Sequence, residues 1–249
     1  MDADQKRKEY KFVLPAGVGD SMRAEVSKHL AVDRDFEEGY PVMSEYFDSD
    51  ERDNYWQKQF GLSNRRKVRT RLYGDGSGAL PPSAFVEVKH KSSGGTVKRR
   101  VMVGQDEMEE FSTGASSLGD DFDEEGERLV AQEIEGLIRE GSCRRVVQIR
   151  YHRYAFDSGP EGRIRITFDV DPRCRFDLVP MTPGDLDFEF PLLGEGMSIM
   201  EVKTIGAVPY WFRELLGEYQ LVPRGFSKYA TALELYEFQF QGKHAKEVV

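Results

Sequence analysis

The feature that most constrains this chain is an alternation of charge and hydrocarbon at a period of two, repeated in several separate segments. In RIRITFDVD, Arg163, Arg165, Thr167, Asp169 and Asp171 alternate with Ile164, Ile166, Phe168 and Val170. Successive side chains of a strand leave opposite faces, so a period of two predicts an amphipathic strand and excludes a helix. In RKVRTRLY, Lys67, Arg69, Arg71 and Tyr73 share one face, and Val68, Thr70 and Leu72 the other. FVEVKHK sets Phe85, Glu87, Lys89 and Lys91 against Val86, Val88 and His90; IMEVKTI sets Glu201 and Lys203 against Met200 and Val202. KRKEYKF groups Arg7, Glu9 and Lys11. TVKRRVMV groups Lys98 with Arg100 and leaves Arg99 on the side that should be apolar.

Extending this reading predicts strands at Lys6–Leu14, Val42–Asp48, Arg65–Gly74, Ala84–Lys91, Thr96–Val103, Arg145–Asp157, Arg163–Asp171 and Ser198–Ile205. Helical spacing predicts helices in SMRAEVSKHL, DERDNYWQKQ, EEGERLVAQEIEGLIRE, VPYWFRELLGEY and SKYATALELYEF. No fixed-period repeat points to a solenoid or propeller. STGASSLGDDFDEEGE, Ser112 to Glu127, reads as an acidic loop leading into a helix. TPGDLDFEFPLLGEG reads as a turn-rich excursion, and SSGGT as a hairpin turn. The 249 residues are expected to form a single β-rich domain, 1–249.

Why would strands collect cations on one face? Two guanidiniums about 6 Å apart at an effective dielectric of about 20 repel by about 2–3 kcal/mol, which interleaved carboxylates would remove. One answer is an antiparallel sheet whose charged face simply meets water. The other is a sheet closed into a barrel with its charged faces inward and its apolar faces under helices. Basic pairs at i and i+2 in several strands, with Glu-x-Lys pairs beside them, favour the second. A basic lumen requires an anionic occupant, and phosphate is the obvious chemistry.

Composition restricts the partners. The formal net charge is −9, which argues against general nucleic-acid binding and requires any basic site to be segregated from an acidic exterior. Charged residues at 32% and aromatics at 12% are globular proportions. Cys143 and Cys174 are too few for a disulfide framework and lack metal-type spacing. A reducing, cytoplasmic setting is expected, with no membrane span in the chain. There is no G-x-x-x-x-G-K-[ST] phosphate loop. The four histidines are scattered, and the stripe in VPYWFRELLGEY reads as sheet cover.

RKEYKF, YFDSDERDNYWQK, KVRTRLYG, FVEVKHK, VKRR, YHRYAF, RITFDVD, IMEVK and FSKYA occur in the order of the VTC domain, the polyphosphate polymerase domain of the triphosphate tunnel metalloenzyme (CYTH-like) superfamily. The chain resembles that family from about Arg7 to Tyr229. The resemblance implies an α+β fold, an antiparallel eight-stranded tunnel barrel with surrounding helices. It implies phosphate-binding roles for Lys11, Arg69, Arg71, Lys89, Lys98, Arg100, Arg153, Arg165, Arg224 and Lys228, with Arg69, Arg71 and Lys89 closest to the chemistry. Glu201, in MEVK, resembles the family's ligand for a divalent Mn²⁺ or Mg²⁺.

The implied partners are a nucleoside triphosphate, such as ATP, and inorganic polyphosphate or triphosphate; a membrane or complex partner would be encoded elsewhere. The cyclase and thiamine triphosphatase branch opens with E-x-E-x-K, whereas here Arg7-x-Glu9-x-Lys11 replaces the first carboxylate, which favours the polymerase branch. Metal-dependent triphosphate hydrolysis and noncatalytic binding of polyphosphate or an inositol polyphosphate remain open, because all three use one lining. Glu201 could instead balance Lys203, and Glu87 and Asp169 read as carboxylates that hold arginines in position.

Overall fold

The computed structural model describes residues 7–33, 36–74, 83–93, 95–118, 122, 124–159 and 163–237. By its internal contacts the chain divides into two compact units. The first takes Met1–Tyr40, Tyr151–Arg173 and Pro191–Lys228, and the second Pro41–Arg150, Cys174–Phe190 and Tyr229–Val249.

The first unit holds β1 (Arg7–Leu14), α1 (Val18–Val26), β2 (Ala31–Val32), most of β8 (Ile164–Arg175), β10 (Ser198–Ile205), α5 (Tyr210–Glu218) and the second half of β7 (Arg144–Asp157). Its strand order is β1-β10-β8-β7, with β2 on β7 and the short β9 (Phe190–Pro191) on β8. β10 pairs antiparallel with both neighbours, Lys11 opposite Glu201 and Glu201 opposite Thr167. The apolar parity predicted for these strands, Ile164, Ile166, Phe168, Met200 and Val202, is buried with Phe12 and Leu14. Met22 and Val26 of α1 and Phe212 and Leu215 of α5 cover that layer.

The second unit holds nearly all of β3 (Tyr40–Asp48), α2 (Asp53–Gln59), β4 (Arg65–Tyr73), β5 (Ser83–Ser92), β6 (Gly95–Val103), α3 (Gln105–Thr113), α4 (Glu125–Glu140), the first half of β7 and, from Tyr229 on, α6 (Lys228–Tyr236). Its order is β7-β3-β4-β5-β6. The β5–β6 hairpin closes on the Ser92–Gly95 pair, where SSGGT predicts the turn. Val68, Val86, Val88 and Val101 pack with Phe47 under Phe111 of α3 and under Ala131 and Ile134 of α4. Arg99, which spoils the apolar parity of β6, reaches Glu133 of α4 at 2.5 Å. A long side chain can lie across hydrocarbon and place its charge at the far rim of a covering helix.

The eight predicted strands are all present, most within one or two residues of their expected ends. The exception is β8, which runs to Arg175 although Asp171 and Pro172 read as its end. Asp171 takes a left-handed φ of 45°, a local irregularity that the strand passes through. α1 begins at Val18, earlier than SMRAEVSKHL suggests, because Gly17 at φ 79° turns the chain just before it. It ends at Val26, leaving Ser27–Leu30 outside the helix.

α3 is missing from the sequence reading. QDEMEEFST carries a short apolar stripe, Met108 and Phe111, inside a mostly polar segment, and Ser112 and Thr113 belong to this helix and not to the expected loop. Glu107 Oε2 accepts the Gly104 N–H at 2.6 Å, fixing the helix start. Lys6, Gly94, Gly119 to Asp121, Asp123 and Phe238, which figure in the predicted elements, lie outside the described residues. No helix among the described residues is long and apolar enough to cross a membrane.

Truncating Ile134, fully buried between α4 and the sheet, to alanine should cost about 2–4 kcal/mol in urea unfolding. Affinity for tripolyphosphate should remain within about twofold of wild type, because the lost methylenes lie on the sheet face opposite the cations.

Candidate anion site

In the second unit, the face of the sheet opposite α3 and α4 carries Lys67, Arg69 and Arg71 of β4, Lys89 of β5, and Lys98 and Arg100 of β6. Glu87 lies at their centre with its side chain only 1% exposed. Its Oε2 accepts from both Nε and Nη2 of Arg69, at 2.8 and 2.7 Å. Its Oε1 accepts from Lys98 Nζ at 2.9 Å and lies 3.9 Å from Arg100 Nη1. Burial alone would raise the Glu87 pKa, but Arg69, Arg71 and Lys98 outweigh it and hold the carboxyl well below the usual range. Burial lowers the Lys98 ammonium, and Glu87 only partly offsets that.

Hydroxyls and rings from neighbouring strands aim the guanidiniums. Arg71 is 6% exposed and donates from Nε to Ser44 Oγ at 3.0 Å and from Nη1 to Tyr73 OH at 3.1 Å. Arg69 Nη1 reaches Tyr46 OH at 3.2 Å. Arg100 lies over the Phe85 ring, 4.1 Å from its centroid. The register explains these meetings, since Ser44 and Tyr46 of β3 stand opposite Arg71 and Arg69. Lys89 stands in the ladder between Lys67 and Lys98.

In the first unit, cations and carboxylates are more nearly balanced. Lys11 Nζ lies 3.2 Å from Glu201 Oε1 and 3.3 Å from Glu9 Oε1, and Lys203 Nζ lies 3.9 Å from Glu201 Oε2. Arg153 donates to both oxygens of Asp169, at 2.7 and 2.9 Å, and Lys228 Nζ reaches the same carboxylate at 2.5 Å. Both cations also lie over the Tyr151 ring. Burial opposes ionisation of Asp169 and Glu201, but the cations prevail: Arg153 and Lys228 depress Asp169, and Lys11, Lys203 and Arg153 depress Glu201. Burial also works against the Lys11 ammonium, yet Glu201 and Glu9 give it a net upward shift. For Lys228 burial prevails over Asp169 and the shift is downward.

Arg69, Lys98 and Arg100 are thus gathered by Glu87, Arg153 and Lys228 by Asp169, and Lys11 by Glu201. Arg165 is not part of these groups; it pairs with Asp33 at 2.5 Å and Asp157 at 3.8 Å. Arg224 is exposed, and its backbone N–H donates to the Lys11 carbonyl at 2.7 Å. The sequence reading missed Ser44, Tyr46 and Tyr151, which carry no charge signal. It also missed Thr167, whose buried Oγ1 finds no protein partner among the described residues although it stands opposite Glu201. A cavity of about 460 Å³ beside α2, lined in part by Asn54, Arg65, Arg66 and Cys143, contains none of the predicted site residues.

Among the described residues no cluster of three or more His, Cys, Asp or Glu side chains forms a metal cage. Glu201 and Glu9, joined through Lys11, offer hard carboxylate oxygens instead. One or two carboxylates suit Mg²⁺ or Mn²⁺, ions that complete their shells with water and substrate phosphate, and the donor set does not suit zinc.

Glu87→Gln should lower stability at pH 7 by about 3 kcal/mol or more, because it leaves buried cations uncompensated. The Glu87 pKa is depressed by folding, so its contribution is present above the unfolded value of about 4.3 and declines as pH falls below it. In urea titrations from pH 5 to pH 2.5 the gap between wild type and variant should therefore narrow.

The profile of the VTC domain family matches residues 6–236. No curated protein matches the chain. Among solved structures, an adenylate cyclase candidate from Bacillus halodurans superposes with a TM-score of 0.52 at 9% identity, covering 89% of this chain and 95% of that one. A Hippeastrum protein, described as an adenylyl cyclase candidate with a dominant triphosphatase activity, superposes with a TM-score of 0.50 at 16% identity, covering 90% and 94%. At such identities the likeness concerns the fold, which is the antiparallel eight-stranded triphosphate-tunnel fold with surrounding helices expected from the resemblance. With its strands in that arrangement and the family profile matched across nearly the whole sequence, the chain belongs to the VTC domain family.

Proposed function

We propose that this chain is a metal-dependent phosphotransferase of the polyphosphate polymerase type. It moves the γ-phosphoryl group of a nucleoside triphosphate to the end of an inorganic polyphosphate chain. The observation that carries this reading is the cation excess around Glu87. Among the described residues, this face of β4, β5 and β6 sets Lys67, Arg69, Arg71, Lys89, Lys98 and Arg100 beside the single carboxylate of Glu87, and Asp48 of the neighbouring β3 is already bonded to backbone amides. An anion with several charges relieves the repulsion that this arrangement otherwise carries. Family membership supports the same substrate class.

Phosphoryl transfer asks a protein chiefly for positioning and charge stabilisation. In this reading Arg69 and Arg71, held by Glu87, Ser44, Tyr46 and Tyr73, present fixed N–H donors to phosphate oxygens. Lys89, Lys98 and Arg100 add charge along the same face. Lys11, Arg153 and Lys228 grip phosphate from their carboxylate-anchored positions, and Arg165 and Arg224 serve more peripheral oxygens. Glu201, with Glu9 beside it, would hold the Mg²⁺ or Mn²⁺ ion, which supplies Lewis-acid neutralisation of phosphate charge when bound. Hydrolysis of triphosphate is the second reading, favoured by the activity described for the Hippeastrum protein of like fold.

Incubating the purified protein with ATP and Mn²⁺ separates these readings. Polyphosphate as the main product supports transfer to a phosphate chain, free phosphate alone supports hydrolysis, and unchanged ATP with tight polyphosphate binding supports a noncatalytic module. Arg71→Ala should weaken tripolyphosphate binding about tenfold or more while unfolding stays cooperative. For Glu201→Gln, tripolyphosphate binding in EDTA should persist while metal-dependent turnover falls, and higher Mn²⁺ should restore part of it. Full turnover of Glu201→Gln at low Mn²⁺ would remove the ion from Glu201.

A further inference from the structure

Lys67 stands apart from the other cations of its face. It lies on β4 two residues before Arg69 and opposite Lys89 in the ladder. Arg69, Lys98 and Arg100 meet at Glu87, whereas the Lys67 ammonium lies over the Tyr229 ring, 4.4 Å from its centroid. Among the described residues no carboxylate stands within ion-pair distance of it.

The groups facing Lys67 are Tyr46 and Asp48 of β3, Lys58 of α2, Arg65 of its own strand, Lys89 of β5 and Tyr229 of α6. Asp48 is the anion among them, and both its oxygens are occupied. Oδ1 accepts the backbone N–H groups of Ser49 and Asn54 at 2.9 and 2.8 Å. Oδ2 accepts the Tyr55 N–H at 3.2 Å and the Tyr229 hydroxyl. Asp48 is therefore tied to the start of α2 and to α6, and burial pushes the Tyr229 hydroxyl upward so that its ring stays neutral. Burial is accordingly the main influence on Lys67; it outweighs the upward pull of Tyr46 and Asp48, is helped by the smaller effects of Arg65 and Lys58, and brings its pKa down to about 8.

We propose that Lys67 is a further phosphate-binding residue of this face, and that its amine takes up a proton from solvent when a polyphosphate anion arrives. The anion supplies the counter-charge that the fold withholds, and the lysine is protonated in the complex across the range where the free protein has largely lost that proton. This rests on the anion site proposed above. It adds a specific consequence: as pH rises from 7 to 9, affinity for the phosphate chain falls about tenfold through Lys67 alone.

The test is calorimetry of tripolyphosphate binding in EDTA, for the full chain, in buffers of different ionisation enthalpy between pH 6.5 and 9. Wild type and Lys67→Arg bind the same ligand, so the titration of tripolyphosphate itself cancels in their difference. Arginine stays charged throughout and stacks on an aromatic ring as lysine does. The expected result is that wild type takes up about half a proton more than Lys67→Arg at pH 8, and loses about tenfold more affinity by pH 9. Lys67→Met should bind more weakly at pH 6.5 and share the flat difference profile of Lys67→Arg. Equal proton uptake and equal pH slopes in wild type and both variants would overturn the role of Lys67 while leaving the anion site intact. Failure of the wild type to bind tripolyphosphate at pH 6.5 would overturn the site and this inference together.

Discussion

The rest of the structure depends on the Glu87 carboxylate, buried among cations that would otherwise repel one another. An ionised group at 1% exposure persists only when its surroundings supply charge and hydrogen bonds. Here Arg69 and Lys98 supply both and Arg71 adds charge, and in return Glu87 sets where Arg69 and Lys98 point. Asp169 does the same for Arg153 and Lys228. In each case a short, stiff carboxylate orients longer and more flexible cations. The guanidiniums are thereby held in a narrow range of directions, which is the property an anion-binding surface needs.

A second constraint follows from placing that many charges on one face of a sheet. The opposite face has to provide most of the stability, and it does so with largely apolar layers. Val68, Val86, Val88 and Val101 lie beneath α3 and α4 in one unit, and Ile164, Ile166, Phe168 and Val202 beneath α1 and α5 in the other. Fully burying each such side chain is worth about 1.5–3 kcal/mol, enough for a helix-covered face to offset an electrostatically costly one. Charge and core packing are thus divided between the two sides of the same strands. A substitution at Val68, Thr70 or Leu72 of β4 acts on the core, and one at Lys67, Arg69 or Arg71 acts on the charged face.

The two units solve the charge problem differently. Around Glu201 and Asp169 the carboxylates nearly match the cations, as suits a place where an ion and a phosphate chain would both be held. Around Glu87 the cations exceed the carboxylates, as suits a surface that holds phosphate alone. Lys67 carries this furthest, its positive charge supported by an aromatic ring in place of a carboxylate. Protonation and anion binding are coupled wherever the counter-charge of a buried amine is left to the ligand.

The alternation in RKVRTRLY and RITFDVD determined by itself which residues form strands and which face each side chain takes, because a strand's period of two is a property of the backbone alone. Together with motif order it was enough to identify the family. Only the tertiary structure decided which charges meet. Glu87 collecting Arg69 and Lys98, Ser44 aiming Arg71, and Arg165 leaving the group for Asp33 depend on strand register and on chain separations of up to 132 residues, which no local pattern encodes. α3 escaped the sequence reading for the same reason: its polar segment is helical because Met108 and Phe111 find a buried surface in the fold. The left-handed Asp171 inside β8 likewise reads locally as a strand end, and only pairing with neighbouring strands carries the element through it.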